Sequence, residues 1–180
     1  MLELFLKGGP LMYPIAVCSL IGLAILINKA IQYRLISKEL ESPPEEILEK
    51  RPQVMMPLLN AIQSGYTEKE IFLVGTKQVR KIESGLSWLG LISTITPLLG
   101  LTGTVTGMIK AFMVIANSSS VNPSMLAGGI WEALITTAAG LLVAIPIHIG
   151  HHYLEKQADE IVLLMKDITL TLYRSRTNGI

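Results

Sequence analysis

Three apolar blocks constrain this chain more than any other feature, because each is long enough to cross a bilayer as a helix, which takes about 20 residues. The first runs from about Leu11 to Ile31, the second from about Leu86 to Ile115, and the third from about Met125 to His148. Lipid offers no hydrogen bonds, so blocks of this length predict helices and an all-α integral membrane fold. Charged residues are only 16% of the chain, against about a quarter in ordinary soluble domains. A net charge of +1 and 6% aromatic residues argue against a nucleic-acid partner. The lone Cys18 excludes an intrachain disulfide framework and a four-cysteine metal site. The first block follows no basic n-region or small-x-small cleavage site, and Val17 before Cys18 is a poor lipoprotein signal. It is therefore expected as a retained helix.

Orientation follows from Lys and Arg. Lys29 lies at the end of the first block, Arg34, Lys38, Lys50, Arg51, Lys69, Lys77, Arg80 and Lys81 lie between the first and second, and Lys156, Lys166, Arg174 and Arg176 lie in the tail. Only Lys7 and Lys110 fall elsewhere. The expected topology is an outward N-terminus with the first span over 1–33, a cytoplasmic helical segment over 34–85 and a second span over 86–116. An outer turn over 117–124, a third span over 125–149 and a cytoplasmic C-terminal helix over 150–180 complete it. The segment 34–85 is too short for a full core of its own, and Glu68 to Ser84 reads as a helix running straight into the second span. In the tail, Leu154, Ala158, Ile161, Met165, Ile168 and Leu172 form a heptad seam, so the third helix is expected to continue below the membrane. Its partner is either the other long helix or a neighbouring copy.

Inside the spans, small and hydroxyl residues mark packing faces or polar pathways. Ser93, Pro97, Gly100, Thr104, Gly107 and Ala111 share one face of the second span, and Ala133, Thr137, Gly140, Ala144 and His148 share one face of the third. Gly100, Gly107, Ala133 and Gly140 read as helix packing. Thr104 and Thr137 each lie about 11 residues, roughly 16 Å, from outer ends near Ile115 and Leu126. They are expected level at mid-membrane, and form a hydroxyl belt if the stripes face an oligomer axis. Glu132 lies about 6 residues in, roughly 9 Å, and Lys110 about 5, roughly 8 Å, so the two can pair. An ionisable group in a span is expensive unless paired or hydrated, which makes Glu132 the leading functional residue. Pro97 and Pro146 are candidate kinks. His148, His151 and His152 read as interfacial residues without an acidic co-ligand on their face, and Met55 and Met56 as core filling. No catalytic constellation, phosphate loop or dinucleotide fingerprint is present, so neither an enzyme nor a bound cofactor or metal is expected.

The run Thr96-Pro97-Leu98-Leu99-Gly100-Leu101-Thr102-Gly103-Thr104-Val105-Thr106-Gly107-Met108-Ile109-Lys110-Ala111-Phe112 resembles the second-span motif of the MotA/TolQ/ExbB proton-channel family. The run from Gly129 through Glu132-Ala133-Leu134, Thr137 and Gly140 to Pro146 is similar to its third-span motif. Three spans rather than four, with a short cytoplasmic segment, favour the ExbB/TolQ branch over flagellar stators. The resemblance implies a homo-oligomeric five-fold ring in the bacterial inner membrane, around single-span ExbD/TolR-like partners whose membrane Asp cycles a proton. It also implies that proton flow moves the partner and passes work to an envelope protein such as TonB or TolA. The family's pore-lining threonines fall on Thr104 and Thr137, and its third-span carboxylate on Glu132. Thr102 and Thr106 lie on other faces and are expected to bond to their own helix. Two rivals are a partner-independent ion channel and a non-conducting membrane scaffold.

Overall fold

Helix occupies almost all of the chain in the computed structural model, which describes residue 5, residues 7–117 and residues 123–177. α1 spans Met12–Leu40, α2 Pro44–Lys50, α3 Met56–Gln63, α4 Glu68–Glu83, α5 Leu86–Ala116 and α6 Pro123–Thr177. Among the described residues there is no strand, and the fold is all-α. Three stretches, Met12–Leu40, Glu68–Ala116 and Leu126–Thr177, are long and apolar enough to cross a membrane. Residues 118–122 of the expected outer turn and the last three residues of the tail lie outside the described residues.

The chain divides into two compact units. The first comprises Met1–Leu26 and Trp88–His151. Its interior is narrow: Ile15, Leu89, Ile92, Thr96, Ala111, Ala133, Thr136, Ala144 and Ile147 are buried. Gly22 lets α1 approach, since a methyl group there would meet Ile147 Cδ1 at 2.5 Å. Large apolar side chains face outward instead, Leu20 at 71% exposure and Leu142 at 74%. Helices with satisfied backbones and such surfaces are matched to lipid rather than water. Both α5 and α6 continue through their internal prolines, Pro97 and Pro146.

The second unit comprises Ile27–Ser87 and His152–Ile180. Tyr33, Leu40, Ile47, Met55, Leu58, Leu59, Ile62, Ile71 and Ile82 are buried in it, as is every member of the heptad seam from Leu154 to Leu172. Ile71 and Val79 of α4 line one apolar cleft together with Val162 and Met165 of α6. The short segment therefore obtains its core by recruiting the tail, and the seam is covered within its own chain. Met55 is fully buried while its neighbour Met56 is exposed, so only one of the pair fills core.

One expectation is corrected here. α4 does not run straight into α5: it ends at Glu83, and Gly85 adopts φ +94°, a left-handed conformation that glycine enters without penalty. The helix end is satisfied by side chains. Ser84 Oγ donates to the Lys81 carbonyl at 2.7 Å, while Lys29 Nζ and Tyr33 Oη donate to the Ile82 carbonyl at 3.0 and 2.6 Å. At its start, α4 carries a capping arrangement in which the Thr67 N–H and hydroxyl both donate to Glu70 Oε2 at 2.8 Å. The backbone bond, then the hydroxyl, hold the Glu70 carboxyl below its ordinary 4.5. A lowered folded-state value means the cap acts fully above about pH 4.5 and fades as acid titrates the folded carboxylate. Thr67→Ala is expected to weaken the first turn by about 1 kcal/mol. Hydrogen exchange of the peptide covering residues 67–75 should accelerate about fivefold at neutral pH, and the difference should shrink as the pH falls below 4.5.

Candidate functional site

α5 and α6 meet along the small-residue stripes, and the glycines set how close they come. A methyl group at Gly140 would meet the Thr96 carbonyl oxygen at 2.8 Å and Gly100 Cα at 3.2 Å. At Gly107 it would meet the Gly129 carbonyl oxygen at 2.8 Å and Ala133 Cβ at 2.9 Å. At Gly100 it would meet Thr137 Cα at 3.0 Å. Backbone touches backbone along this seam, the closest contact two helices can make in lipid.

The hydroxyls divide by what they reach. Thr102 Oγ1 donates to the Leu98 carbonyl at 2.8 Å and Thr106 Oγ1 to that of Thr102 at 2.9 Å. Thr104 Oγ1, too, donates within α5, to the Leu101 carbonyl at 2.6 Å. Thr137 Oγ1 instead crosses the seam to the Gly100 carbonyl at 2.8 Å. That bond corrects the expected level pairing of Thr104 and Thr137. Gly100 stands opposite Thr137, so Thr104 lies four residues, about one turn, further along α5, an offset of about 6 Å. The glycine contacts dictate this register, whereas the sequence estimate depended on where each span was taken to end. Both threonines are half-buried, and each oxygen keeps acceptor capacity after its proton is donated.

One step further along the seam, Lys110 Nζ lies 2.6 Å from Glu132 Oε1. The side chains are 53% and 22% exposed respectively, so the lysine reaches outward while the carboxylate is held inside. Two groups not singled out from the sequence close around it. Thr136 is fully buried, and its hydroxyl lies 2.7 Å from both the Gly8 and the Glu132 carbonyls. Gly9, at φ +74°, passes directly over the Glu132 carboxylate. The Gly8-Gly9-Pro10 run signals a turn, but nothing in its spacing says against what the turn packs. Of the histidines, His151 lies against Gly90, 3.3 Å from where its Cβ would be, and His148 is exposed. His152 does have an acidic neighbour, Glu155 at 3.7 Å, which corrects the expectation of none. Among the described residues no three potential metal ligands cluster.

This geometry sits inside a recognisable sequence. Residues 39–167 match the profile of the MotA/TolQ/ExbB proton channel family. Over 84 residues the chain is 48% identical to the biopolymer transport protein exbB1 of Vibrio cholerae, covering 46% of this chain and 37% of that one. A longer match, 169 residues at 31% identity, covers 81% of the chain and 66% of the putative biopolymer transport protein ExbB-like 1 of Synechocystis. The Tol-Pal system protein TolQ of Haemophilus influenzae is 33% identical over 95 residues, 53% of this chain and 42% of that protein. The matched stretches thus span less than two thirds of these relatives' own lengths. With the family profile covering all of α5 and α6 as far as Asp167, and relatives named ExbB and TolQ, this integral membrane protein belongs to the MotA/TolQ/ExbB proton channel family, in its ExbB/TolQ branch.

Proposed function

We propose that the chain is the ring-forming subunit of a proton-driven motor of the bacterial inner membrane. It would surround single-span ExbD/TolR-like partners in a five-fold ring and pass work to an envelope protein of the TonB or TolA kind. The N-terminus would face outward and the second unit the cytoplasm, with the lysines and arginines of that unit as the orientation signal. Protons, rather than a chemical substrate, are what the chain handles, and no enzymatic role is assigned.

The observation that carries this reading is the line of polar groups along one seam of an otherwise lipid-facing unit: Thr137 on Gly100, Thr104 one turn along, then Glu132 on Lys110. Hydroxyl oxygens that accept as well as donate can order water beside a partner's carboxyl group. Glu132 shapes the field there and Pro97 and Pro146 leave carbonyls that water can solvate. A charge moved across the potential is worth about 2.3 kcal/mol per 100 mV. That energy becomes motion only if protonation alters the partner's preferred contacts with the ring.

The test is proton uptake into proteoliposomes under an imposed gradient, with the chain alone and with its single-span partner. Flux is expected only with the partner, and Thr137→Val, Thr104→Val or Glu132→Ala should each lower it about tenfold, the worth of one lost polar partner. The scaffold reading draws on the same hydrogen bonds, since Thr104 and Thr137 already serve helix carbonyls. It requires the valine variants to behave as wild type. Flux from the chain alone would instead identify a self-sufficient channel.

A further inference from the structure

Residues 7–11, just before α1, are folded against the site. Gly8 N–H donates to the Phe5 carbonyl at 3.3 Å, and Met12 N–H to that of Gly9 at 3.2 Å. The Phe5 and Tyr13 rings meet edge to face at 5.3 Å. The turn they stabilise is pinned to α6 at one point, where Thr136 Oγ1 reaches the buried Gly8 carbonyl at 2.7 Å across 128 residues of sequence. A methyl group on Gly8 would meet Met12 Cγ at 2.6 Å and Ile135 Cγ2 at 3.1 Å, so the turn is also packed down beside the pin. Next to it, Gly9 lies over the Glu132 carboxylate with no room for a side chain: a Cβ would overlap Oε1. The left-handed φ of Gly9 gives a second, independent reason for glycine there.

We propose that Gly8, Gly9 and Thr136 are positioning residues for Glu132: the Gly8–Pro10 turn is a strap that holds the carboxylate against Lys110 and covers it. The strap's functional meaning rests on the proposed role of Glu132, but its existence does not. Lys110 bonds Oε1 at 2.6 Å, and Gly9 lies over that same oxygen, so two contacts hold it. Uncovering the carboxylate on its Gly9 side then requires the Thr136–Gly8 bond to break and the turn to lift. Such a local opening involves a handful of residues and has its own equilibrium, separate from unfolding of the helices.

Glu132 is the one carboxylate between residues 86 and 154, so its accessibility can be read directly. Protein reconstituted in lipid is treated with dicyclohexylcarbodiimide, and the rate of adduct formation at Glu132 is followed by mass spectrometry. Lys110→Met serves as the positive control, because losing the cation opens the Lys110 side of the carboxyl to the reagent while the turn stays over it. Gly9→Val is expected to label about tenfold faster than wild type, since valine suits neither the left-handed backbone nor the space. Thr136→Val removes the pin while keeping the side-chain shape and should also label faster, whereas Thr136→Ser keeps the hydroxyl and should label at the wild-type rate. If Gly9→Val does not fold, the valine and serine variants at Thr136 decide. Wild-type rates in Thr136→Val and in any folded Gly9→Val, alongside fast labelling of Lys110→Met, would overturn the strap. The readout uses no proton flux, so a failure here and a failure of the motor reading are seen separately.

Discussion

Gly140→Leu is expected to abolish the folded first unit, while Gly128→Leu on the same helix leaves it intact. The two glycines differ in what surrounds them. At Gly140 a Cβ would meet the Thr96 carbonyl oxygen at 2.8 Å and Gly100 at 3.2 Å, both backbone; at Gly128 nothing lies within 4 Å. A clash with a flexible side chain relaxes by a change of rotamer, but a clash with backbone moves a helix. Overpacking of a tight core costs about 1–3 kcal/mol, and Gly140→Ala should fall in that range as α5 and α6 part slightly. Leucine cannot be accommodated by a small shift, and parting the helices further also breaks the Thr137–Gly100 bond. Denaturant titration in detergent, followed by size-exclusion chromatography, gives the comparison. A Gly140→Leu protein as stable as Gly128→Leu would mean that the seam does not hold the unit together.

That seam was legible in the sequence, and the reason is physical. Small residues let helices touch in lipid, so the 3.6-residue period of Ser93 to Ala111 and of Ala133 to Ala144 marks contact faces, while His148, the last member of the second stripe, is exposed. The axial register between the faces was not legible, because it depends on which glycine fits which carbonyl, and the ends of the spans are uncertain by several residues. This is why Thr104 and Thr137 read as level but stand a turn apart. The heptad seam of the tail was equally plain from Leu154 to Leu172, yet its partner was not. A seam says that it must be covered, not by what, and the spacing alone leaves the other long helix and a neighbouring copy equally open. The break at Ser84 and Gly85 escaped because the apolar periodicity on both sides is helical, while the donors that satisfy the helix end include Lys29 and Tyr33, about 50 residues away in sequence. Thr136 and the Gly8–Pro10 turn escaped for the same reason: their contact joins residues 128 apart, and no local pattern encodes it.

The Lys110–Glu132 pair should show strong, asymmetric coupling in a double-mutant cycle. The two members are unequally placed, the lysine 53% exposed and the carboxylate 22%. In Glu132→Gln the remaining lysine has a long apolar stem and can carry its charge outward, so the loss should be about 1 kcal/mol. In Lys110→Met the remaining carboxylate sits on a short stem under Gly9 and cannot leave. Its loss of a cation should cost about 2 kcal/mol, between the values for surface and fully buried pairs. Removing both charges deletes the problem, and the double variant should return to within about 1 kcal/mol of wild type, giving a coupling of about 2 kcal/mol. Proton flux separates the roles further. If Glu132 shapes the field on the pathway, the double variant recovers stability and not flux, because the glutamine carries no charge. If the pair only joins α5 to α6, stability and flux recover together. An additive cycle would mean that the contact contributes nothing to the fold, and the carboxylate would then need its partner elsewhere in the assembly.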